Sequence, residues 1–556
     1  MELEGVSEKN ASEKFTNFLE NLYSNNFTHT LINDVIQPKI ENKRLALAQG
    51  DGLSCFTFNF AIDALVTYIE KRLEGIKIFS IPTQGPSHPK WGKPPEIELR
   101  YKVCGFLDDL KPGIVKREEF FMVDNAIRLF EGASGCKLHR DPASQKCKAL
   151  FLGKWSKWKK SDIPINYIVP TEHLDYLGVK LGKNNNTTRA INGDYLVSKV
   201  KSTVQSFKSG KFSPLTSRPW SINSFVWSKI LYRSSVIDIR KNDIKKMISD
   251  IKSFVYQDLL IKPAEQILFR NHKKGGLGVI HPGAKSEAAL IKTFISLAHP
   301  KSSKVNIYLN YLFRYHIMEE EGLPSPKRAA SYNAGFFRFI KEIYDTSELC
   351  IFTLSTKQWY NIILEQGITF RREGIENNPR MILTSTEIKY KEAVDWGICY
   401  ELRRLRGLSP SQKSCIFKYC ENLWPTGERL FKLKKQPSPL CEHCHVDDDI
   451  GHFWQCNFNS NMCKSMKDLL KETTQHIVGV AQLATCGFPI ADTFQLPVMY
   501  IFSEFLEAIF QSKATKVEIR NSVFKTSTIN KAKLFMQSQR NQSAYEKTRT
   551  LMLEFF

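Results

Sequence analysis

The sequence predicts an α+β fold, and three observations along the chain support that class. Up to about residue 195, helical and strand-like patterns alternate, which is typical of a sheet that carries helices. Beyond that point most segments have helical periodicity and are rich in lysine. Around residues 405–475 cysteines and histidines crowd together, which indicates a small metal-binding region.

The chain is long and basic. Of its 556 residues, 42% are hydrophobic and 24% are charged, a balance typical of a folded protein with several domains. The 79 lysines and arginines exceed the 57 aspartates and glutamates, so the formal net charge is +22. Such an excess attracts polyanions, and nucleic acid is therefore the first partner to expect. A basic protein without such a partner is the alternative.

No segment of the sequence indicates secretion or a membrane span. The first 15 residues carry acids and lack the apolar core of a signal peptide. The most apolar run, residues 496–510, is interrupted by Glu504 and Glu507 and predicts an amphipathic helix. The 13 cysteines are scattered and odd in number, which favours reduced thiols. We therefore expect an intracellular protein of the nucleus or cytoplasm, with no membrane partner.

The first elements lead to a pair of adjacent carboxylates. A short amphipathic helix is predicted from Ser12, followed by a β-like stretch over residues 28–40. A glycine-rich turn at residues 48–56 then enters an apolar helix at residues 57–73, and a Pro/Gly-rich loop covers residues 80–96. The next strand is VCGFLDDLK, residues 103–111, which predicts a hairpin with Asp108 and Asp109 at its tip.

The elements after this hairpin complete the mixed region. Residues 123–138 predict a helix that stops at Gly135, and residues 146–154 predict a strand. The mixed region should therefore hold an antiparallel sheet with helices on one face. From about residue 195 the basic helical pattern predicts a bundle.

The acidic doublet has two interpretations. Adjacent acids usually occupy solvated turns. Here an apolar strand flanks them on both sides, and carboxylates at the tip of a buried hairpin are costly unless a divalent cation neutralises them. Paired carboxylates that hold Mg²⁺ are what nucleotidyl transfer requires, but two aspartates are one ligand short, so a third carboxylate from a neighbouring strand is needed.

The cysteine-rich region contains the spacing C-x₂-C-x₇-H-x₃-C. Its candidate ligands are Cys441, Cys444, His452 and Cys456. Three thiolates and one imidazole complete a tetrahedral Zn²⁺ with no open position, which predicts a structural zinc site. Buried free thiols are the alternative, and His443 and His445 lie close enough to substitute as ligands. Cys415 and Cys420 lack a partner pair and are assigned to the core.

A third pattern interleaves tryptophans with lysines. The segment GKWSKWKK, residues 153–160, could stack its rings on bases while its lysines contact phosphates. An ordinary exposed hairpin explains the same pattern equally well. Both interpretations stay open.

In their order and spacing, these motifs resemble a known family. QGDGLSCFTFN, GFLDD, SGCKLHRDPASQKCKALFLG and LDYLGVKLG resemble the palm of reverse transcriptases, in particular those of non-LTR retrotransposons of the LINE type. Residues 219–236 and 267–298 look like that family's thumb and the segment adjoining it. A similar cysteine and histidine cluster follows the polymerase in many LINE-type proteins. The likeness covers residues 15–300 and returns at the cysteines.

The resemblance implies roles for particular residues. The catalytic pair and its Mg²⁺ ligands fall on Asp108 and Asp109. The nucleotide- and template-binding positions are Gln49, Gly50, Asp51 and Ser54, with Lys146 facing the incoming triphosphate. Leu177 and Gly178 match the primer grip. Two positions depart from the family pattern, since Leu107 replaces the usual Ala and Ala48 the frequent Arg.

The resemblance also implies a function and a limit on it. The family places its first catalytic aspartate on a strand ahead of the helix that here holds FLENLYSNN, and this chain begins too late to contain that strand or the fingers. We therefore expect an RNA-directed DNA polymerase, N-terminally truncated and with weak or no activity, that takes an RNA template, a DNA primer or target and deoxynucleoside triphosphates. The alternative is a catalytically inactive nucleic-acid-binding scaffold derived from such an enzyme.

The expected domain organisation follows the same resemblance. A partial palm should occupy residues 15–190 and a helical thumb and connector residues 190–400. A zinc-binding module should occupy residues 405–475, and C-terminal helices residues 476–556. Mg²⁺ for catalysis and Zn²⁺ for structure are the expected cofactors.

Overall fold

The computed structural model describes most of the chain from Gly52 to the C-terminus, with gaps. The described ranges are residues 17, 27–28, 31–32, 35–36, 40–41, 52–82, 96–106, 109–134, 136–144, 146–208, 213–298, 304–320, 323, 334–346, 350–366, 395–515, 519–539 and 541–556. Within them the protein is α+β and mostly helical, which confirms the predicted class, but the strands form separate two-stranded sheets instead of the expected single antiparallel sheet. The chain forms two compact units, Met1–Tyr176 and Leu177–Phe556.

The first unit contains the strands. They are β1 Phe27–Thr28, β2 Leu31–Ile32, β3 Val35–Ile36, β4 Ile40–Glu41, β5 Ile76–Pro82, β6 Glu96–Tyr101, β7 Val103–Phe106, β8 Asp109–Pro112, β9 Lys148–Ala149, β10 Val169–Pro170 and β11 His173–Tyr176. The pairs β1–β4, β2–β3, β5–β6 and β7–β8 are antiparallel. The pair β9–β10 is parallel.

Two helices pack beside the β7–β8 hairpin. They are α1, Gly52–Arg72, and α2, Glu118–Ser134. Apolar side chains recur every four residues along α1 and at the residue that follows it, and they share one face: Leu65, Ile69 and Leu73. That face buries itself against Val123 and Ala126 of α2, with the hairpin at the edge of the same cluster.

The second unit begins with β12, Val179–Gly182, and is otherwise helical. Its helices are α3 Asn185–Lys208, α4 Arg218–Ser221, α5 Trp227–Ser234, α6 Lys241–Val255, α7 Glu265–Phe269, α8 Pro282–Ala298, α9 Lys304–His316, α10 Ala334–Thr346, α11 Thr356–Gln366, α12 Trp396–Arg403, α13 Pro410–Cys420, α14 Gly427–Lys432, α15 Ser460–Thr474, α16 Val480–Thr485, α17 Asp492–Thr515, α18 Asn521–Ser538 and α19 Gln542–Phe555. A π-helical turn, Ile222–Val226, joins α4 to α5.

Three apolar clusters hold the second unit together. The first gathers residues of α3 to α7 and the turn after them. The second gathers α8 to α11. The third runs from Leu402 to Met552 and therefore includes both the cysteine-rich region and the C-terminal helices in one core. Cys415 and Cys420 are both buried in it, as the sequence predicts.

Some elements differ from the sequence-based expectation. Within residues 146–154 the strand β9 covers only Lys148 and Ala149, because a 3₁₀ turn starts at Gly153. The predicted amphipathic helix at residues 496–510 is the centre of α17, and its residues from Val498 to Phe502 are all buried. A helix that is buried on every side packs at the centre of a core. This stretch therefore lacks the solvent-exposed polar face that an amphipathic helix would have.

Other predictions fall on residues outside the described ranges. The opening helix from Ser12 lies almost entirely outside them, as does Gly135, the expected end of the helix that is observed as α2. No helix within the described part of the chain has the length and apolarity needed to cross a membrane.

Candidate functional site

Asp109, the second residue of the acidic doublet, lies at the end of the β7–β8 hairpin. In the antiparallel register Phe106 faces Asp109. Leu107 and Asp108 lie outside the described residues, while Asp109 opens strand β8. The predicted hairpin is therefore present, with Asp109 at its end.

Asp109 forms an ion pair within its own strand. The Lys111 ammonium lies 3.1 Å from one carboxylate oxygen of Asp109, and 48% of the Asp109 side chain is exposed. The two residues are two apart on a strand, so their side chains project from the same face. An exposed pair of this kind contributes little to stability. The carboxylate therefore stays accessible to another cation.

Two tyrosines flank this pair. The Tyr101 hydroxyl donates to the backbone carbonyl of Lys111 at 2.7 Å, and the Lys111 ammonium lies 5.8 Å from the centre of the Tyr176 ring. The Tyr176 hydroxyl is also 2.8 Å from the sulfur of Cys104. Burial raises the pKa of Tyr101 to about 12. Burial, then Cys104 and, among weaker contributions, the charge of Asp109, also raise the pKa of Tyr176.

Sequence reasoning did not single out Tyr101, Lys111 or Tyr176. A signal existed for Lys111, because its i+2 spacing from Asp109 on a strand fixes both side chains on one face. Tyr176 precedes the predicted primer grip directly, but its approach to Cys104 spans 72 positions and has no local signature. Long-range contacts of this kind come only from the fold.

The predicted nucleotide-binding turn is described only at its end. Gln49, Gly50 and Asp51 lie outside the described residues. Helix α1 begins at Gly52, immediately after them, and includes Ser54 in its first turn. The predicted helix is therefore present and begins five residues before its predicted start, while the turn ahead of Gly52 lies outside the described residues. The roles of these four residues stay predictions.

Lys146 and the predicted primer grip also lie in defined local structure. Lys146 is exposed, and its backbone N–H donates to the Ser144 hydroxyl at 3.4 Å. Leu177 and Gly178 connect β11 and β12 with positive φ values of 47° and 77°. This combination is typical of a type I′ turn, in which leucine is an unusual first residue because its Cβ disfavours positive φ. Their binding roles stay predictions.

The tryptophans of residues 153–160 pack on the core of the first unit. Trp155 and Trp158 stack on each other with ring centroids 4.6 Å apart. Trp155 lies 6.2 Å from Phe120, and Trp158 lies 5.6 Å from Phe151. Both rings are half-buried, whereas the lysines of the segment are exposed. The rings therefore have partners within the protein.

The cysteine-rich region folds as two short loops, and the first supplies two thiols. The Cys441 N–H donates to the Val446 carbonyl at 2.8 Å, and the His445 N–H donates to the Cys441 carbonyl at 2.9 Å. His445 has a positive φ of 57°, which closes the turn. The tight turn brings the sulfurs of Cys441 and Cys444 to one side of the loop.

The second loop supplies the imidazole and the third thiol. His452 starts a 3₁₀ turn that ends at Trp454, and the Asp449 carboxylate accepts the His452 N–H at 2.7 Å. Cys456 lies two residues after the end of this turn. The Asn457 N–H then donates to the sulfur of Cys444 at 3.3 Å, which ties the second loop to the first.

These four side chains converge on one point. One donor atom from each of Cys441, Cys444, His452 and Cys456 lies within 4.8 Å of all the others. The Cys456 sulfur is 3.8 Å from that of Cys441 and 3.6 Å from that of Cys444. The chain thus contains a Cys₃His cluster that could bind a metal ion, and its donor set is compatible with structural zinc.

The electrostatics of the cluster differ between its thiols. Burial raises the pKa of Cys456 to about 12. Burial also opposes ionisation of Cys444, but the Asn457 N–H and the neighbouring thiols outweigh it and lower the pKa of Cys444. A bound dication would reverse the balance at Cys456, because a coordinating thiol is deprotonated by the metal.

The alternative histidine ligands have other positions. The His443 ring stacks on Phe458 with centroids 4.2 Å apart and planes 6° from parallel. His445 occupies the positive-φ turn and is exposed. Of the histidines in the described residues, His452 is the one grouped with the three thiols.

The cluster is attached to the main core of its region. Phe453 and Trp454, which follow the His ligand, are buried in the cluster that spans Leu402 to Met552. The Trp454 indole N–H donates to the Tyr419 hydroxyl at 2.6 Å. Unfolding of the two loops that carry the Cys₃His cluster would therefore expose part of that core.

Comparisons with known proteins do not assign the chain to a family. No family model matches the chain, and no curated protein sequence matches it significantly.

Proposed function

We propose that the chain is an RNA-directed DNA polymerase of the non-LTR, LINE type, with impaired catalysis. The observation that carries the proposal is the β7–β8 hairpin, whose second strand begins at Asp109 and which packs beside helix α1. Helix α1 begins directly after Gln49–Asp51, so the segment that the resemblance assigns to nucleotide binding precedes an element that contacts the hairpin.

The hairpin residues suit a divalent cation. Asp109 offers a half-exposed carboxylate, and oxygen ligands are those that Mg²⁺ prefers. Asp108 and Asp109 would hold the ion, whose charge would favour attack of a primer hydroxyl and departure of pyrophosphate. Lys111 competes for one carboxylate oxygen of Asp109, so metal binding requires this ion pair to open.

Zinc is the metal we assign to the Cys₃His cluster. Four ligands at the usual Zn–S distance of about 2.3 Å in a tetrahedron place two sulfurs about 3.8 Å apart. The observed separations of 3.8 and 3.6 Å match that value. With four protein ligands no position stays open for a substrate, so the role of the ion is structural.

One observation favours the second candidate, a catalytically inactive nucleic-acid-binding scaffold. The Lys111 ammonium takes a position beside Asp109 where a polymerase would hold its cation. A hairpin neutralised by its own lysine keeps its structure without a metal ion. The basic charge and the zinc cluster serve either function.

Primer extension tests the proposal. The full chain is incubated with Mg²⁺, a DNA primer annealed to RNA and deoxynucleoside triphosphates, and incorporation is compared with that of Asp108→Asn. A matched control is Asp141→Asn, an exposed carboxylate of the same unit whose side-chain oxygen caps the Ala143 N–H. Asparagine keeps that oxygen, so the control changes charge alone.

Incorporation that Asp108→Asn abolishes and Asp141→Asn retains supports the polymerase. Binding of the RNA duplex by all three proteins without incorporation supports the scaffold. Absence of nucleic-acid binding contradicts both candidates.

A further inference from the structure

In the second unit, helix α3 packs against the helical segment from α4 to α5 through pairs of contacting side chains. Helix α3 contributes Tyr195, Thr203 and Phe207, and the helical segment from α4 to α5 contributes Phe225, Lys229 and Arg233. Phe207 contacts Phe225 with ring centroids 5.6 Å apart, and the Lys229 ammonium lies 3.2 Å from the Thr203 hydroxyl. The Arg233 guanidinium lies over the Tyr195 ring at 3.5 Å. Along these pairs the residue number falls by whole helical turns on α3 and rises by whole turns on the other segment, so the two helices are antiparallel here.

Aromatic rings are exposed at the end of this helix pair where Phe207 contacts Phe225. Trp220 is 68% exposed and Phe225 is 49% exposed. Trp220 meets Phe225 edge to face, with centroids 6.2 Å apart and planes at 82°. Large aromatic side chains are normally buried, and a group of exposed ones marks a binding surface.

The backbone beneath these rings departs from an ordinary helix. Residues Ile222–Val226 form a π-helical turn, and Phe225 lies within it. Such turns add a residue to the helix and are frequent at functional sites. Ile222 and Val226 point into the core, with 0% and 1% of their surface exposed, while Phe225 projects outward.

Cations line the same surface. The partners of Lys229 and Lys208 are the hydroxyls of Thr203 and Ser253. Arg233 contacts the Asn192 side-chain oxygen as well as the Tyr195 ring. Lys208 also interacts electrostatically with Asp250, whereas the polar partners of Lys229 and Arg233 in the described residues are uncharged, so these two charges are available to an anionic partner.

We propose that Trp220 and Phe225, with Lys229, form a stacking platform for single-stranded nucleic acid. Unpaired bases stack on aromatic faces while nearby lysines contact the phosphates, and this combination defines single-strand sites. From Trp220 to Arg233 the segment extends roughly 20 Å at about 1.5 Å per residue, which accommodates a few nucleotides. Nucleic acid is favoured over a protein partner because the cations lie beside the rings.

The platform contrasts with the tryptophans of residues 153–160. Trp155 and Trp158 stack on each other and on phenylalanines of the core, so their faces are occupied. Trp220 is 68% exposed and, among the ring contacts of the described residues, has no stacked partner, since it meets Phe225 at 82°. A base can stack on an open face but not on an occupied one.

Fluorescence anisotropy with labelled oligonucleotides tests the platform in the full chain. The probes are an oligothymidylate and an abasic strand of the same length, which carries the same phosphates without bases. We expect Trp220→Ala to weaken oligothymidylate binding about tenfold, the effect of losing one stacked base, and to leave the abasic strand unchanged. Trp220→Phe should restore most of the loss because a ring remains.

Lys229→Met should show a different pattern. It should weaken both strands and reduce the salt dependence of each by about 0.7 in log–log slope, as expected when one phosphate contact on a single strand is lost. Leu534→Ala removes a 75% exposed side chain from α18 and is the matched control for lost apolar surface. The Leu534→Ala protein should bind both strands normally.

Two results would overturn the platform. One is equal affinity of wild type and Trp220→Ala for oligothymidylate, as expected if a protein segment covers the rings instead. The other is an equal loss for the abasic strand, which would place the effect on phosphates. Because the readout is binding, either result is independent of whether the chain polymerises nucleotides.

Discussion

The Cys₃His cluster and the acidic hairpin are both short motifs at turns. They differ in whether one segment of chain supplies all the residues that the proposed site needs. The cluster takes all four donors from residues 441–456, and the structure gathers them within 4.8 Å. The hairpin contributes two carboxylates, and its proposed partners at residues 49–51 are some 60 positions away. A motif whose ligands are local can be identified from spacing, whereas one assembled from distant segments depends on the fold.

The largest expected effect is loss of the metal from the Cys₃His cluster. We expect wild type to carry one zinc ion per chain, and Cys441→Ser to lose it together with on the order of 5 kcal/mol of unfolding free energy, because metal binding is coupled to folding. The core from Leu402 to Met552 should be the part that loosens. Metal analysis and denaturant unfolding measure the two effects.

Cys350→Ser is the matched control, since Cys350 is an exposed thiol of the same unit. It should keep the zinc and the stability of wild type. If Cys441→Ser also kept both, the cluster would be a group of free thiols, and its difference from the hairpin would disappear.

Mutation of the hairpin carboxylate should lower the rate of primer extension and leave the unfolding free energy almost unchanged. Asp109→Asn removes a half-exposed carboxylate whose partner is Lys111, so the change in unfolding free energy should be within about 0.5 kcal/mol. Primer extension should fall on the order of 100-fold or more, because even residues that only orient metal ligands alter activity by about 10- to 100-fold. Steady-state kinetics and thermal unfolding check both halves of this prediction, and a large stability loss would assign Asp109 a structural role.

A neighbouring carboxylate should show the opposite behaviour. Asp124 on α2 accepts hydrogen bonds from the Tyr167 hydroxyl and from Arg128 and is ion-paired with Arg140. Burial opposes its ionisation, but these partners outweigh it and lower the pKa of Asp124. Asp124→Asn should therefore reduce stability by about 1 kcal/mol at neutral pH without a direct effect on catalysis.

The pH dependence of that loss has a definite sign. Because the pKa of Asp124 is lower in the folded than in the unfolded protein, its contribution is present above the unfolded value near 4. It is lost as the pH falls through the folded value. Melting temperatures of wild type and Asp124→Asn should differ by a constant amount from pH 5 to 8 and converge below about pH 4. A difference that grows in acid would contradict the sign.

The smallest effect is expected for His443. Its ring stacks on Phe458 at the surface, outside the donor group, so His443→Ala should keep one zinc per chain and cost within about 1 kcal/mol. His452→Ala should lose the metal. Zinc loss from the His443 variant instead would mean that the ligand set had been assigned to the wrong histidine.

The sequence predicted the elements whose signals are local. The α+β class, the hairpin at residues 103–112 and the grouping of Cys441, Cys444, His452 and Cys456 each follow from spacing within a few turns of chain. The burial of α17 could not be predicted in the same way. Glu504 suggested a polar face, but Gln412 and Lys531 pair with its carboxylate from other helices and allow it to be buried.

The surroundings of Asp109 show the same limit. Lys111 could have been placed beside it by strand periodicity, but the position of Tyr176 depends on how β11 packs. The exposed rings at Trp220 and Phe225 were also not identifiable from sequence, because a π turn shifts which positions of the helix face the core.

We propose that the cation held by Asp108 and Asp109 lies close to the glycine-rich turn around Gln49, and cleavage by iron bound in its place is the most direct test. Fe²⁺ replaces Mg²⁺ in the full chain, ascorbate and peroxide generate hydroxyl radicals at the bound ion, and mass spectrometry locates the cuts. We expect cuts both at residues 106–110 and at residues 48–52, with both sets lost in Asp109→Asn. Cuts confined to the hairpin, or unchanged by Asp109→Asn, would contradict it.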